Sequence, residues 1–531
     1  MQVFDTIIRN GKIVDGTGGP FFFGDVGIKD GKIAAVERKL DACAQAEHNA
    51  SGNVVCPGFI DMHSHSDFTI LLDARAQSKV QQGVTTELNG QCGGWAAPLA
   101  GESLKSALEM LQEYGATDVI SWSSMDGYFR ALEAVKPAIN QAILVGHGTV
   151  RAAVFGYQQR EPSPVELQQM RVIVREAMQA GAFGMSTGLY YAPGSYSKTP
   201  EVIELCTVVA GLGGIHESHI RDETDYSVGL IAAVQEIIDI ARASGVSSEF
   251  AHLKALGPRQ WGKGPELLEM IDGARKAGLD VTADQYPYPA SGSSITGALL
   301  PRWAQEGGRA GTLAMLEDAE TRKRMHRDMT ENLARRGGAT RLMISVFEPD
   351  RSLEGKTLAQ VAEERGKDPI ETALELLEKA DASFVSFVID EGDVEAIMRH
   401  PAVMVGTDGF ALANDGVLEK GWPHPRSYGT YPRILSTFVR EKKVLSLEQA
   451  IKKMTSMPAT KIGLQDRGLI RAGQWADIVV FDENDIKDRA SFEAPKQYPV
   501  GIKQVFVNGS VVVENGQHQN LFPGHVLRKK C

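Results

Sequence analysis

Two histidines at alternate positions, His63 and His65, close the apolar stretch Val54-Val-Cys-Pro-Gly-Phe-Ile60. In an extended chain residues i and i+2 face one way, so the two imidazoles project side by side. Protonated, they would repel; neutral, they are paired nitrogen donors for a divalent metal. A bare His-x-His is more often incidental than metal-binding. Here, further donors end later apolar runs: Cys92 between Asn89-Gly-Gln and Gly93-Gly94, His219 after Gly214-Ile-His-Glu-Ser, His252 after Ser248-Glu-Phe-Ala, and Asp408 after Val403-Met-Val-Gly-Thr. Each alone has an ordinary explanation, such as a small core cysteine or a satisfied core histidine. All six at strand ends would be six coincidences. Imidazole and thiolate together favour zinc over magnesium or calcium. His147 and His216 are read as core histidines.

These donors meet only if the elements carrying them converge. From residue 57 onward apolar strand-type runs alternate with helical stretches, the pattern of a parallel α/β fold. Strand one ends at His63 and His65. Strand two, Val84-Thr-Thr-Glu-Leu, runs toward Cys92. Strand three, Ala142-Ile-Leu-Val, ends at His147, and strand four, Gly184-Met-Ser-Thr-Gly188, leads to Tyr190-Tyr191. Strands five and six end at His219 and at His252 with Lys254. Strand seven, Asp280-Val-Thr-Ala, ends at Asp284 and Tyr286, and strand eight at Asp408. Pro164 starts one intervening helix, and Tyr226 to Ala243 is amphipathic. Eight strand–helix units imply a (β/α)8 TIM-type barrel over residues 57–464, its chemistry at the C-terminal strand ends. Residues of about 288–348 are too long a connection for one helix and read as an inserted lid subdomain.

The chain ends differ in texture. Residues 1–56 carry short strands split by Asn10-Gly11, Thr17-Gly-Gly and Asp30-Gly31, all read as turns. Residues 465–531 repeat this with Ala476-Asp-Ile-Val-Val-Phe481 and Val505-Phe-Val-Asn-Gly509. The two ends are expected to pair into one small β-sandwich, since apart each would leave exposed edges.

Composition excludes several classes. The chain has 531 residues, 23% of them charged, and a net charge of −11, and no basic stripe, so neither nucleic acid nor an anionic membrane is expected as partner. No apolar run approaches bilayer-spanning length, and the N-terminus lacks an export signal. Five scattered cysteines, Cys43, Cys56, Cys92, Cys206 and Cys531, form no disulfide framework and point to a reducing cytoplasm.

The combination of Pro57-Gly-Phe-Ile-Asp-Met-His-Ser-His-Ser-Asp67, Asn89-Gly-Gln-Cys92-Gly, Ser186-Thr-Gly-Leu-Tyr-Tyr-Ala-Pro, Ser218-His-Ile-Arg-Asp-Glu223, His252-Leu-Lys254, Asp284-Gln-Tyr-Pro-Tyr, Gly406-Thr-Asp-Gly409 and His424-Pro-Arg-Ser-Tyr-Gly-Thr-Tyr-Pro-Arg433 resembles the D-aminoacylase (N-acyl-D-amino-acid deacylase) branch of the amidohydrolase superfamily over nearly the whole length. Many superfamily members bridge two metals with a carboxylated lysine; this branch carries a cysteine after strand two, where Cys92 stands. The resemblance implies a tight zinc site at Cys92, His219 and His252 and a weaker second site at His63, His65 and Asp408.

It further implies zinc-dependent hydrolysis of N-acyl-D-amino acids to a carboxylate and a free D-amino acid. Asp408 would move the proton from the attacking water to the leaving nitrogen, and Tyr191 would donate to the developing oxyanion. Lys254, Tyr286 and a lid serine, Ser293, would bind the α-carboxylate. Arg302 either reads a second, side-chain carboxylate or lies on the lid surface. Arg426 and Arg433 are assigned to ordering their Pro/Gly-rich loop. The rivals are a cyclic amide hydrolase of hydantoinase or dihydroorotase type and a non-catalytic protein of the same fold. The expected partner is a small-molecule substrate; oligomeric state is left open.

Overall fold

The computed structural model describes residues 3–530 apart from Trp95 and Glu113; Cys531, among the cysteines above, lies outside them. Eight parallel strands organise the middle of the chain among the described residues. They are β1 (Phe59–Asp61), β2 (Val84–Asn89), β3 (Asn140–Ile143, resuming at Val145–Gly146), β4 (Gly184–Gly188), β5 (Ile215–His219), β6 (Ser247–Phe250), β7 (Val281–Gln285) and β8 (Val403–Val405). β1, β2 and β3 pair in order, and Val145–Gly146 pairs with β4, which continues through β5, β6 and β7 to β8. Met62 N–H donates to Val405 O at 3.4 Å, and Ser64 bridges Gly409, bringing the last strand to the first. This is the (β/α)8 arrangement. Its strands are buried on both faces, as a parallel sheet covered by helices requires.

The surrounding helices follow their local signals. Ser163 caps Pro164–Ala180 through a capping box with Glu166, satisfying two orphan amides at once. The helix expected from Tyr226 begins instead at Leu230. Asp222 accepts from the amides of Thr224, Tyr226, Ser227 and Gly229, and so holds those residues in a loop before the helix starts.

Strands from both chain ends share one nine-stranded sheet. Val54–Pro57 lies between Val3–Ile13 and Ile478–Phe481, then passes through Gly58 into β1. A Cβ on Gly58 would lie 2.2 Å from Thr85 Oγ1, so only glycine lets the chain cross β2 so closely. Asp30-Gly31 and Asn508-Gly509 are hairpin turns, with φ of 50° and 73° and of 46° and 83°. Asn10-Gly11 is not. It sits inside one continuous strand, Val3–Ile13, as a bulge where the register with its neighbour shifts, and Asn10 N–H is taken up by Asp25 Oδ1 at 2.8 Å. An αL residue is common to both structures, so dipeptide identity cannot separate turn from bulge.

The insertion after β7 is longer than the 288–348 expected. Ser291–Ser294, Leu342–Val346 and Ser383–Ser386 form their own antiparallel sheet. Helix Pro369–Lys379 buries Ile370, Ala373, Leu374 and Leu377 against Leu342, Ile344 and Phe384 in a core separate from the barrel's. Amphipathic spacing shows that a helix buries a face but not against which sheet.

Candidate metal centre

Five of the six candidate donors lie just beyond their strands, and His219 is the last residue of β5. β1 stops at Asp61 and β8 at Val405, so His63, His65 and Asp408 occupy bends past the strand ends. Cys92, His252 and Asp408 have positive φ, at 52°, 34° and 49°. Left-handed backbone costs a non-glycine residue about 1–2 kcal/mol, and three instances at one rim mark the concentration of strain typical of functional sites. Gly93 needs its φ of 78°, because a Cβ there would meet Gly188 N at 2.6 Å. The Cys92 loop is thereby seated on β4, with Ser186 Oγ accepting from Gly93 N–H at 3.0 Å.

The donors converge. Cys92 Sγ lies 3.5 Å from His63 Nε2, 3.6 Å from His219 Nδ1 and 3.5 Å from His252 Nε2. Asp408 Oδ1 lies 3.1 Å from His65 Nε2 and 3.7 Å from His63 Nε2. Three overlapping triads have ligand atoms all within 4.8 Å of one another: Cys92, His219 and His252; His63, His65 and Cys92; and His63, His252 and Asp408. Cys92 therefore faces both halves of the cluster, not only the first.

Behind these donors stand carboxylates. Glu217 Oε1 is 2.6 Å and Asp284 Oδ2 3.6 Å from His63 Nδ1. Glu223 Oε1 is 3.4 Å from His219 Nε2, 3.6 Å from His252 Nδ1 and 2.6 Å from Lys254 Nζ. Each of these histidines thus turns one nitrogen to the cluster and the other to an acid, which orients the ring. Lys254 reaches His252 Nδ1 at 2.7 Å across the turn that His252, at φ 34°, makes after β6.

Burial dominates the electrostatics. It drives the Cys92 thiol well above its ordinary pKa, aided by Asp408 and Glu217. Burial also pushes His219 and His252 well below theirs, with Lys254 adding to it. Burial alone would raise Asp408, yet Arg426, then His252, His65 and His63, hold it well below the usual carboxylate range. Burial lifts Glu217 to about 8. A neutral thiol facing neutral imidazoles is what such a pocket enforces on its own, and a dication reverses that balance at the thiol. Zinc–sulfur and zinc–nitrogen bonds of ordinary length put tetrahedral ligands about 3.3–3.8 Å apart, the spacing measured around Cys92. The donor set fits zinc.

The other sequence-derived residues border this cluster. The Tyr191 ring lies 4.8 Å from that of His219, and burial raises its phenol well above the ordinary value. Burial pushes Tyr286 up to about 12; Lys254 Nζ lies 6.0 Å and Arg426 Cζ 4.8 Å from its ring centre. A Cβ on Gly297 would lie 2.2 Å from Ser293 Oγ and 3.1 Å from Tyr191 Cε1, so the short helix Ile295–Ala298 that follows the lid strand lies beside Tyr191. Arg302 stacks 4.0 Å over Tyr190, whose ring is 5.1 Å from His219; among the described residues it has no carboxylate partner within ion-pair distance. His147 pairs with Glu201 at 2.8 Å and His216 with Thr187 Oγ1 at 2.9 Å, both away from the donors.

Arg426 corrects the sequence reading. Its Nη1 lies 2.7 Å from Asp408 Oδ2, so it faces the cluster instead of merely ordering its loop, as Arg433 does by donating to Pro287 O at 2.8 Å. Its place after strand eight, on the active face of a barrel, is the signal that points there. Glu217 and Glu223 were passed over as well, although each stands two or four residues from His219.

An amidohydrolase family model matches residues 46–513, and the chain belongs to that family. It is 37% identical to an N-acyl-D-glutamate deacylase of Alcaligenes xylosoxydans xylosoxydans over 99% of this chain and 97% of that protein. A D-aminoacylase structure described as having a binuclear metal centre, with one-metal activation and second-metal attenuation, superposes with a TM-score of 0.84 at 34% identity, covering 99% of this chain and all of that one. An N-acyl-D-glutamate deacylase of Bordetella bronchiseptica, complexed with zinc and a phosphonate mimic of the tetrahedral intermediate, superposes at 0.82 with 35% identity over 99% and 100% of the two chains. No helix among the described residues is long and apolar enough to cross a membrane.

Proposed function

We propose that this protein hydrolyses the amide bond of N-acyl-D-amino acids, releasing a carboxylate and a free D-amino acid. The reading rests on one observation: the thiol of Cys92 sits 3.5–3.6 Å from nitrogens of His63, His219 and His252. Cys92, His219 and His252 would hold a tight zinc, and His63, His65 and Asp408 a weaker one, with Cys92 near both. Zinc there supplies a Lewis acid for the scissile carbonyl and lowers the pKa of water toward neutrality.

The chain's own residues do the rest. Asp408, kept ionised by Arg426 and its histidine neighbours, accepts a proton on its carboxylate from the attacking water. It returns that proton to the departing nitrogen, without which the amine is a poor leaving group. Tyr191 keeps its phenolic proton at neutral pH and donates it as a hydrogen bond to the developing oxyanion. Lys254 and Arg426 flank Tyr286 and present two cations and a hydroxyl to the α-carboxylate, with Ser293 of the lid strand beside them. Arg302, a cation without an acidic partner near the cluster, would take a side-chain carboxylate, which favours acyl-D-glutamate or acyl-D-aspartate.

The D configuration rests on the names of the relatives, which also favour a linear amide over a cyclic one. Zinc-loaded protein should release acid from N-acetyl-D-amino acids, acidic ones foremost, and leave N-acetyl-L-amino acids and hydantoin untouched. Turnover of hydantoin but not of any N-acetyl-D-amino acid would overturn the reading.

A further inference from the structure

Asp408 sits on a turn that the backbone does not favour, at φ 49°, and one fully buried lysine far along the sequence is wired into that turn. Lys79 has no solvent exposure. Its ammonium donates to Asp61 Oδ2 at 2.7 Å, Thr407 Oγ1 at 2.7 Å and Gly409 O at 3.0 Å, so all three of its hydrogens are used. Two of those acceptors flank Asp408 directly. The third, Asp61, ends β1 two residues before His63 and carries the opposite side of the same contact. Its Oδ1 accepts from Thr407 N–H at 2.8 Å and from His63 N–H at 3.3 Å, and its Oδ2 accepts from Thr407 Oγ1 at 2.7 Å. Thr407 Oγ1 in turn accepts from Gly409 N–H at 3.1 Å, and Asp408 N–H donates to His63 O at 2.8 Å. Glu87 Oε2, 3.8 Å from Lys79 Nζ, accepts from Ser64 and Ser66 at 2.7 and 2.8 Å, so the same buried charge also backs the histidine segment.

We infer that Lys79, acting through Asp61 and Thr407, is a positioning residue that fixes the Asp408 carboxylate against His63 and His65. A buried ion pair is a poor device for stability alone, since desolvation offsets most of its attraction. What it supplies is directional: three donors in fixed places tie the turn after β8 to the bend after β1. These are the two segments that must hold register for Oδ1 of Asp408 to stay 3.1 Å from His65. Lys79 faces none of the six donors and takes no part in proton transfer. The inference rests on the role proposed for Asp408.

Lys79→Met alone would strand the Asp61 carboxylate and can fail to fold, so the test uses two variants that do not, Glu87 keeping its donors Ser64, Ser66 and Gln141 in both. Lys79→Met/Asp61→Asn removes both charges; Thr407→Val removes the central hydroxyl at nearly constant volume. Both are compared with wild type in folded, zinc-loaded form on an N-acetyl-D-amino acid. The expected result is a kcat lower by about 10–100-fold, the size of a catalytic group displaced by about an ångström, with KM unchanged within about threefold and one tight zinc retained. A second zinc should bind at least about tenfold more weakly in zinc titrations, since Asp408 would no longer be held against His63 and His65. Wild-type kcat in either folded variant overturns the inference. If wild type turns over no N-acyl amino acid, the function reading falls instead, and second-zinc affinity still decides: unchanged affinity in a folded variant overturns the positioning role, and weakened affinity upholds it.

Discussion

Arg426 Nη1 lies 2.7 Å from Asp408 Oδ2, with both side chains buried. A guanidinium beside the carboxylate proposed to transfer the proton keeps that carboxylate charged, and its remaining N–H groups, without a hydrogen-bond partner among the described residues, can hold a substrate anion. Arg426→Met should lower kcat/KM at least about 30-fold, the loss of a charge-assisted contact of ~2 kcal/mol, with zinc content intact. Steady-state kinetics beside metal analysis checks this; unchanged kinetics would return Arg426 to loop ordering.

Asp408→Asn keeps the shape and removes the proposed base. Turnover should fall by about 10²–10⁴-fold while zinc bound at Cys92, His219 and His252 stays near one equivalent. Retained turnover would strip Asp408 of its assigned role.

Cys92→Ala leaves three imidazoles around a vacant corner. It should lose the tight zinc on dialysis against a mild chelator, whereas wild type keeps it. Full zinc occupancy after the same dialysis would count against Cys92 as a ligand.

Arg302→Leu should shift preference, not chemistry. kcat/KM for N-acetyl-D-glutamate should drop about tenfold or more relative to N-acetyl-D-leucine. An equal fall on both substrates would mean that Arg302 serves only the lid.

Lys453 gives a stability signature independent of the metal. It is buried and donates to Val403 O at 2.7 Å and to His400 O, and burial depresses its pKa to about 7 from 10.5. Between those values the unfolded chain binds the proton that the folded chain has given up. Unfolding free energy therefore rises with pH across that window, by at most ~1.4 kcal/mol per unit. Thermal melts of wild type against Lys453→Met from pH 6.5 to 10 should show a steeper rise in wild type, buried Lys461 contributing the same share to both; parallel curves would refute it.

Much of the candidate cluster was legible because its members obey two simple rules: they end apolar runs, and they are residue types that bind divalent metals. His219 and His252 were found in this way although 33 positions apart. The rules stop at the second row. Glu217 and Glu223 carry no such mark, since a carboxylate beside a histidine in sequence is commonplace and only the fold shows which nitrogen it faces. Lys79 was invisible for a stronger reason: a lone lysine in a polar stretch reads as solvent-exposed, and its burial follows from contacts more than 300 residues away. Arg426 was misjudged because Pro and Gly neighbours suggested a loop-ordering role. The length of the insertion failed for want of a partner: the apolar face of Pro369–Lys379 does not show in sequence that its packing surface lies in another sheet.

The insertion leaves the barrel and returns to it at adjacent points, since Ser291 and Ser386 are paired opposite one another. All six candidate donors lie outside the span between them, while Ser293 and Arg302 lie within it. On the roles proposed here, side-chain recognition and bond cleavage fall on separable parts of one chain, and an exchange of residues 291–386 between relatives would change substrate preference while leaving the six donors in place.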